Sequence, residues 1–174
     1  MAKWSLDKAH SELEFRVKHM MISNVKGLFE DFDVEVTGNP DDISSLHVDV
    51  SIGVDSITTK NEQRDQHLRS EDFFHGEKHP KITFKSTHIA AAGKDKFHIT
   101  GDLTIKGITK SIVVDVENGG TAQDPWGNKK IGFTVSGKLK REDFGLTWNT
   151  ALETGGVMVS SEVKFEGDIQ FALS

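Results

Sequence analysis

Residues 96–117 read KFHITGDLTI-KG-ITKSIVVDVE, and this stretch decides the fold class. Phe97, Ile99, Leu103 and Ile105 stand at alternate positions, with His98, Thr100, Asp102 and Thr104 between them. A period of two puts one apolar and one polar face on an extended strand. Lys106-Gly107 is short enough for a two-residue turn, so the stretch predicts a β-hairpin.

The alternation continues outward in both directions. Leu13, Phe15 and Val17 alternate with charged residues, and Val163, Phe165, Ile169 and Phe171 with Glu162, Lys164, Glu166, Asp168 and Gln170. Leu46, Val48, Val50, Ile52 and Val54 do the same with His47, Asp49, Ser51 and Asp55. Eight such segments are predicted, at about 11–18, 25–37, 45–55, 81–90, 96–105, 108–117, 130–140 and 157–173. Gly38-Asn39-Pro40-Asp41 closes the second, and Ala92-Gly93-Lys94-Asp95 joins the fourth to the fifth. Asn118-Gly119-Gly120 is expected to open a longer loop through Asp124-Pro125-Trp126-Gly127-Asn128. Long strands joined by short hairpins, each with one apolar face, predict one antiparallel sheet closed as an up-and-down barrel. Closure removes the exposed edges.

Residues 56–80 break the pattern. Thr59-Lys60-Asn61-Glu62 has the spacing of a capping box and predicts a helix to about Arg69. Arg64 and Leu68 share a face, and Asp65 and Arg69 have ion-pair spacing. Ser70 is placed to cap a second short turn into Phe73 and Phe74. The helical insertion, about 59–75, lies between the third and fourth strands, and connections of that length are often functional. A second helical turn is expected at Arg141–Phe144.

Composition narrows the function. The chain has 174 residues, one domain (1–174) by length, and a net charge of −6 without a basic run, which argues against nucleic acid. The longest apolar run, Ile89 to Ala92, is too short to cross a bilayer as a helix. Asp7, Lys8, His10, Glu12 and Glu14 stand where the apolar region of a signal peptide would have to be, so a cytoplasmic location is expected. Without Cys there are no disulfides, thiol nucleophiles or thiolate metal sites.

An eight-stranded barrel is either filled by its own side chains or holds one small ligand. Gly101, Gly137 and Gly167 fall where apolar inward residues are expected. They either let long strands coil or leave an apolar channel open. Eleven Phe, three Trp and no Tyr make the interior greasy, which suits a lipid-like ligand. The tunnel candidates are Phe15, Val17, Phe29, Phe32, Val50, Leu68, Phe73, Phe74, Phe84, Phe133, Trp148, Met158 and Phe165. His19, Arg64 and His67 are candidates to meet a polar head group.

Arg64-Asp65-x-His67 is the densest polar constellation. Successive helical residues diverge by about 100°, so the three do not converge on one point. Their expected role is to pin the helix to the barrel. His75 and His79 have metal-ligand spacing, but Gly76 and Pro80 interrupt a helix there. His19 and His88 extend inward-facing series. No metal site, cofactor or catalytic residue is expected; Gly155-Gly156 reads as a turn.

Together these residues resemble the YceI-like family of bacterial lipid-binding proteins. The resemblance is carried by Trp4-x-x-Asp7-x-x-His10-Ser11, Gly27-x-Phe29, Arg64-Asp65-x-His67-Leu68, Asp72-Phe73-Phe74, Pro80-x-Ile82-x-Phe84, Asp124-Pro125-Trp126-Gly127-Asn128 and Arg141-x-Asp143-Phe144-Gly145-Leu146. It implies an extended, lipocalin-like antiparallel barrel, a homodimer, and binding of a polyisoprenoid, an isoprenoid quinone or phosphate, or a fatty-acid derivative in an internal tunnel. It implies no enzyme activity. Two readings compete with this one. One is an enzyme acting on a small lipid or isoprenoid phosphate through Arg64, Asp65 and His67. The other is a stress-related structural protein with a solid core.

Overall fold

The computed structural model describes residues 3–20, 22–149 and 159–174. Its strands are β1 (Trp4–Leu6), β2 (Glu12–His19), β3 (Ser23–Phe29), β4 (Phe32–Thr37), β5 (His47–Gly53), β6 (Ile57–Thr58), β7 (Lys81–Gly93), β8 (Lys96–Ile105), β9 (Ile108–Gln123), β10 (Lys129–Lys140) and β11 (Glu162–Leu173). One helix, α1 (Glu62–Arg69), lies between β6 and β7. The strands pair in the order β4-β5-β7-β8-β9-β10-β11-β2-β3-β6, with β1 added to β11. Every pairing is antiparallel. The sheet curls until β4 lies beside β1, where the Trp4 indole Nε1 donates to the Gly38 carbonyl at 3.2 Å.

Pattern and register agree in the deciding hairpin. Ile105 pairs with Ile108 across Lys106-Gly107, whose φ values of 53° and 78° are the two positive angles of a tight hairpin turn. Phe97, Ile99, Leu103 and Ile105 are buried while His98 and Asp102 are exposed. The fold class is therefore the expected all-β, lipocalin-like barrel, but the described residues form eleven strands rather than eight, and the expected closure is not completed by hydrogen bonds, since β4 and β6 end the order unpaired with each other. Short β1 and β6 account for two. The third comes from segment 25–37, which turns at Glu30-Asp31. The apolar phase changes there from Val25 and Phe29 to Phe32, Val34 and Val36, so one continuous strand would present opposite faces to the core.

Two connections also differ from expectation. β9 continues past Asn118 to Gln123, because Gly120 takes a φ of 101° and a bulge at Gly132/Phe133 absorbs the irregularity. The loop shrinks to Asp124–Asn128. In the insertion only Glu62–Arg69 is α-helical. Its N-cap is Asn61, whose Oδ1 accepts from the Arg64 amide at 3.1 Å, not Thr59. Arg69 pairs with Glu62 at 3.2 Å instead of Asp65. Ser70 closes α1, its hydroxyl donating to the His67 carbonyl, and a turn follows in which the Phe73 amide donates to Ser70. The expected helical turn at Arg141–Phe144 is a 3-10 turn ended by Gly145 at a φ of 71°.

The inward glycines follow a rule the sequence left open. A Cβ on Gly101 would stand 2.4 Å from Cζ of Phe84, and one on Gly27 would stand 2.3 Å from Cζ of Phe15. Neighbouring Phe rings lie across these glycines, so the slots are not the open channel. Gly167 backs instead onto the Glu12 carbonyl, 2.7 Å from where its Cβ would be.

Candidate functional site

The barrel nevertheless encloses a cavity of about 610 Å³, within the range of small-molecule sites. A cavity of this size runs against the solid-core reading. Valine, leucine, isoleucine and phenylalanine from β2, β3, β4, β5, β7, β8, β9, β10 and β11 make most of its wall. Phe15, Val17, Phe29, Phe32, Val50, Leu68, Phe73, Phe74, Phe84, Phe133, Trp148 and Phe165 all line it, as do His19, Arg64 and His67. Met158 and the Gly155-Gly156 turn lie outside the described residues.

The two ends of the cavity differ. At one end Trp4, Phe97, Phe133 and Phe171 pack together. Trp4 stacks on Phe133 at 6.2 Å and meets Phe171 edge-on at 5.4 Å, and Phe97 meets Phe133 edge-on at 6.2 Å. The pairing of β1 with the last residues of β11 puts this plug where β10 starts.

The opposite end is polar. It is formed by the end of β2, by α1 and by the chain that follows β10. Lys18, His19, Asn61, Gln63, Arg64, His67 and Arg141 reach the cavity from these elements. The His67 ring meets Trp148 at 4.8 Å and Phe73 at 5.0 Å, both edge-on, and its Nε2 lies 2.9 Å from Asp72 Oδ2. Arg64 is held by Thr59: Nε donates to the hydroxyl at 2.7 Å and Nη2 to the carbonyl at 2.9 Å. Asp65 is buried beneath them, accepting from the Thr59 amide at 2.8 Å and hydroxyl at 2.6 Å. Arg64 and His67 thus share the cavity wall, while Asp65 is committed to the loop before α1. This is the divergence that helical geometry predicts.

Arg141 was not among the sequence-based candidates. It is buried, at 4% exposure, and four neutral carbonyls accept from it: Ser160 to Nε at 2.8 Å, Leu146 and Trp148 to Nη1 at 2.8 and 3.2 Å, and Val159 to Nη2 at 3.4 Å. Burial lowers its pKa and the neighbouring Glu142 opposes that. Its place in Arg141-x-Asp143-Phe144-Gly145-Leu146 was a signal of family and of a helical turn, but nothing in that motif marks a guanidinium turned to the cavity.

Glu14 is the lone carboxylate among the described lining residues. It sits on the polar face of β2 and pairs with Lys26 at 3.0 Å and Arg16 at 3.3 Å. Burial pushes its carboxyl up, but the charge-assisted contacts of Lys26 and Arg16 outweigh this and hold it below the ordinary range.

His88 is exposed, not inward. The register of β7 against β8 slips between Ser86 and His88, which reverses the faces before Ile89. His75 and His79 stack edge-on at 6.0 Å within a turn. Among the described residues no three His, Asp or Glu side chains gather into a metal-binding group. No helix among the described residues is long and apolar enough to cross a membrane.

A family model for the YceI-like domain matches residues 4–171. A UPF0312 protein of Staphylococcus epidermidis is 44% identical over 174 residues, covering 99% of both chains, and one from Staphylococcus aureus is 45% identical over 175. Among solved structures, Burkholderia cenocepacia BcnA superposes with a TM-score of 0.81 at 26% identity, over 95% of this chain and 99% of that one. A Campylobacter jejuni YceI protein gives 0.70 at 39% identity, over 94% and 97%. The fold is also shared, at 14% identity and a TM-score of 0.72 over the whole of both chains, with a Saccharophagus degradans polyisoprenoid-binding domain implicated in plant cell wall breakdown.

Proposed function

We propose that this chain, which belongs to the YceI-like family, binds one long-chain apolar ligand in its barrel and performs no chemistry on it. The observation that carries this reading is the cavity itself, apolar along its walls, plugged by aromatic rings at one end and polar at the other. A polyisoprenoid, an isoprenoid quinone or phosphate, or a fatty-acid derivative has that shape and polarity. The fold shared with a polyisoprenoid-binding domain supports the same class. The tail lies among Phe29, Val50, Phe84, Phe133 and Phe165, and the head meets His19, Arg64 or His67. Apolar burial supplies most of the affinity, at about 0.8 kcal/mol per buried methylene, and ordering the flexible chain offsets part of it. The role is sequestration, transport or storage, in a cytoplasmic homodimer.

Native mass spectrometry of freshly purified protein, followed by organic extraction, tests this reading. A bound mass that extracts as a lipid is expected. An apo mass, together with failure of added polyprenyl phosphates and fatty acids to bind, would overturn it. Replacing Arg64 and His67 together with Ala separates binding from catalysis. A carrier keeps most of its affinity, whereas an enzyme built on these residues loses its turnover.

A further inference from the structure

The strongest unassigned feature is a buried charge at the polar end of the cavity. Arg141 is nine-tenths buried and lines the cavity, yet its four hydrogen bonds among the described residues all go to backbone carbonyls. Carbonyl dipoles hold a guanidinium in place but do not cancel its charge. Among the described residues no carboxylate lies within ion-pair distance of it. The neighbouring acid, Glu142, accepts from the Ser161 hydroxyl at 2.8 Å. The other cations of this rim, Lys18 and Arg64, add to the same sign, and the lining carboxylate Glu14 is already paired with Lys26 and Arg16.

Resting on the lipid-binding reading, we propose that Arg141 makes this end of the cavity selective for a negatively charged head, a carboxylate or a phosphate, on the long apolar chain. The four carbonyls account for four of the five guanidinium N–H donors, which leaves one on Nη2. An anionic head supplies both an acceptor for that donor and a counter-charge in direct contact, which Glu142 does not reach to give. A neutral head of the same size supplies only the acceptor. Arg64 is placed to assist, because Thr59 occupies its Nε and Nη2 and Nη1 has no partner among the described residues.

The test is a matched set of ligands titrated into the full chain: palmitic acid against hexadecanol, and geranylgeranyl phosphate against geranylgeraniol. The two pairs distinguish carboxylate from phosphate as the preferred anion. The anionic member should bind about tenfold tighter or more, the difference between a charge-assisted and a neutral hydrogen bond. That preference should fall to near unity in R141M and persist in R64M. Equal binding of acid and alcohol by the unmodified protein would overturn the inference and leave the lipid-binding reading standing. Loss of the preference in R64M with retention in R141M would overturn it equally. Binding of neither head would overturn the lipid-binding reading itself. A readout that needs no variant to fold is the Arg141 Nε–H resonance of nitrogen-15-labelled protein. It should move further with the acid than with the alcohol, and a signal that the acid leaves unmoved, or that both move equally, overturns the proposal.

Discussion

The ring of Phe165 lies across Gly137: a Cβ on that glycine would stand 2.4 Å from the ring's Cζ. The two residues are directly paired between β11 and β10. On the other side of Phe165 stands Phe15, paired in turn with Gly27, over which its own ring lies. One row thus crosses four strands as Gly27, Phe15, Phe165, Gly137, with the two rings turned outward over their glycines. This is a glycine rescued by a cross-strand aromatic ring, used twice in mirror order.

G137A should therefore displace the Phe165 ring. The clash is with a ring in a packed wall, so the expected cost is that of overpacking, about 1–3 kcal/mol. The ring has the cavity to move into, so lipid affinity should fall together with stability. Urea denaturation and a fluorescent fatty-acid titration read the two effects. The double variant G137A/F165L should recover most of the stability, because the shorter side chain vacates the space.

The contribution of Glu14 should depend on pH in one direction. Its carboxyl is held below the ordinary value of 4.5, so the folded state favours the charged form. The stabilisation is complete above the unfolded-state pKa and is lost as pH falls through the lower folded pKa. E14Q should be less stable than the parent by about 1 kcal/mol at neutral pH, a modest figure because Lys26 and Arg16 are half exposed. The gap should hold down to about pH 5 and close on acidification below it. Denaturant midpoints measured across that range check the sign: a gap that widened in acid would contradict the assigned partners.

Most of this architecture is legible in the sequence, and the misses have physical causes. Strand faces and hairpins follow from a period of two and from turn residues, both local properties. The break at Glu30-Asp31 and the slip after Ser86 were also written in the sequence, as changes of apolar phase from Phe29 to Phe32 and from Phe84 to Ile89. The glycine–phenylalanine row was not, because it depends on cross-strand register. Arg141 was the least legible: the carbonyls that bury it come from Leu146, Trp148, Val159 and Ser160, and nothing local announces their approach.

Thr59 and Asp65 should prove energetically coupled. Asp65 accepts two hydrogen bonds from Thr59, both residues are buried, and Arg64 in turn donates to Thr59. D65A strands the Thr59 amide and hydroxyl, an expected cost of about 1–3 kcal/mol. T59V removes the hydroxyl alone and should cost less. Combined, the two should destabilise by less than the sum, with a coupling of at least about 0.5 kcal/mol. Strict additivity in a double-mutant cycle would show that the network does not hold α1 over the cavity.

The aromatic plug should set the longest chain the cavity accepts. Trp4, Phe97, Phe133 and Phe171 close the end opposite the polar rim, so a ligand whose head stays at that rim can extend only until its tail reaches these rings. Across a series of saturated fatty acids, each added methylene that finds apolar wall is worth about 0.8 kcal/mol, or roughly fourfold in affinity. The rise should stop abruptly at one chain length, because the next methylene meets a ring and not open wall. F133A removes the ring that touches the other three and should move the stopping point to longer chains. It should also cost about 3–5 kcal/mol of stability as a large-to-small substitution, somewhat less because Phe133 is only partly buried. Calorimetric titration of the series into both proteins decides the matter. An unchanged stopping point in F133A would mean that the tail does not run toward the plug.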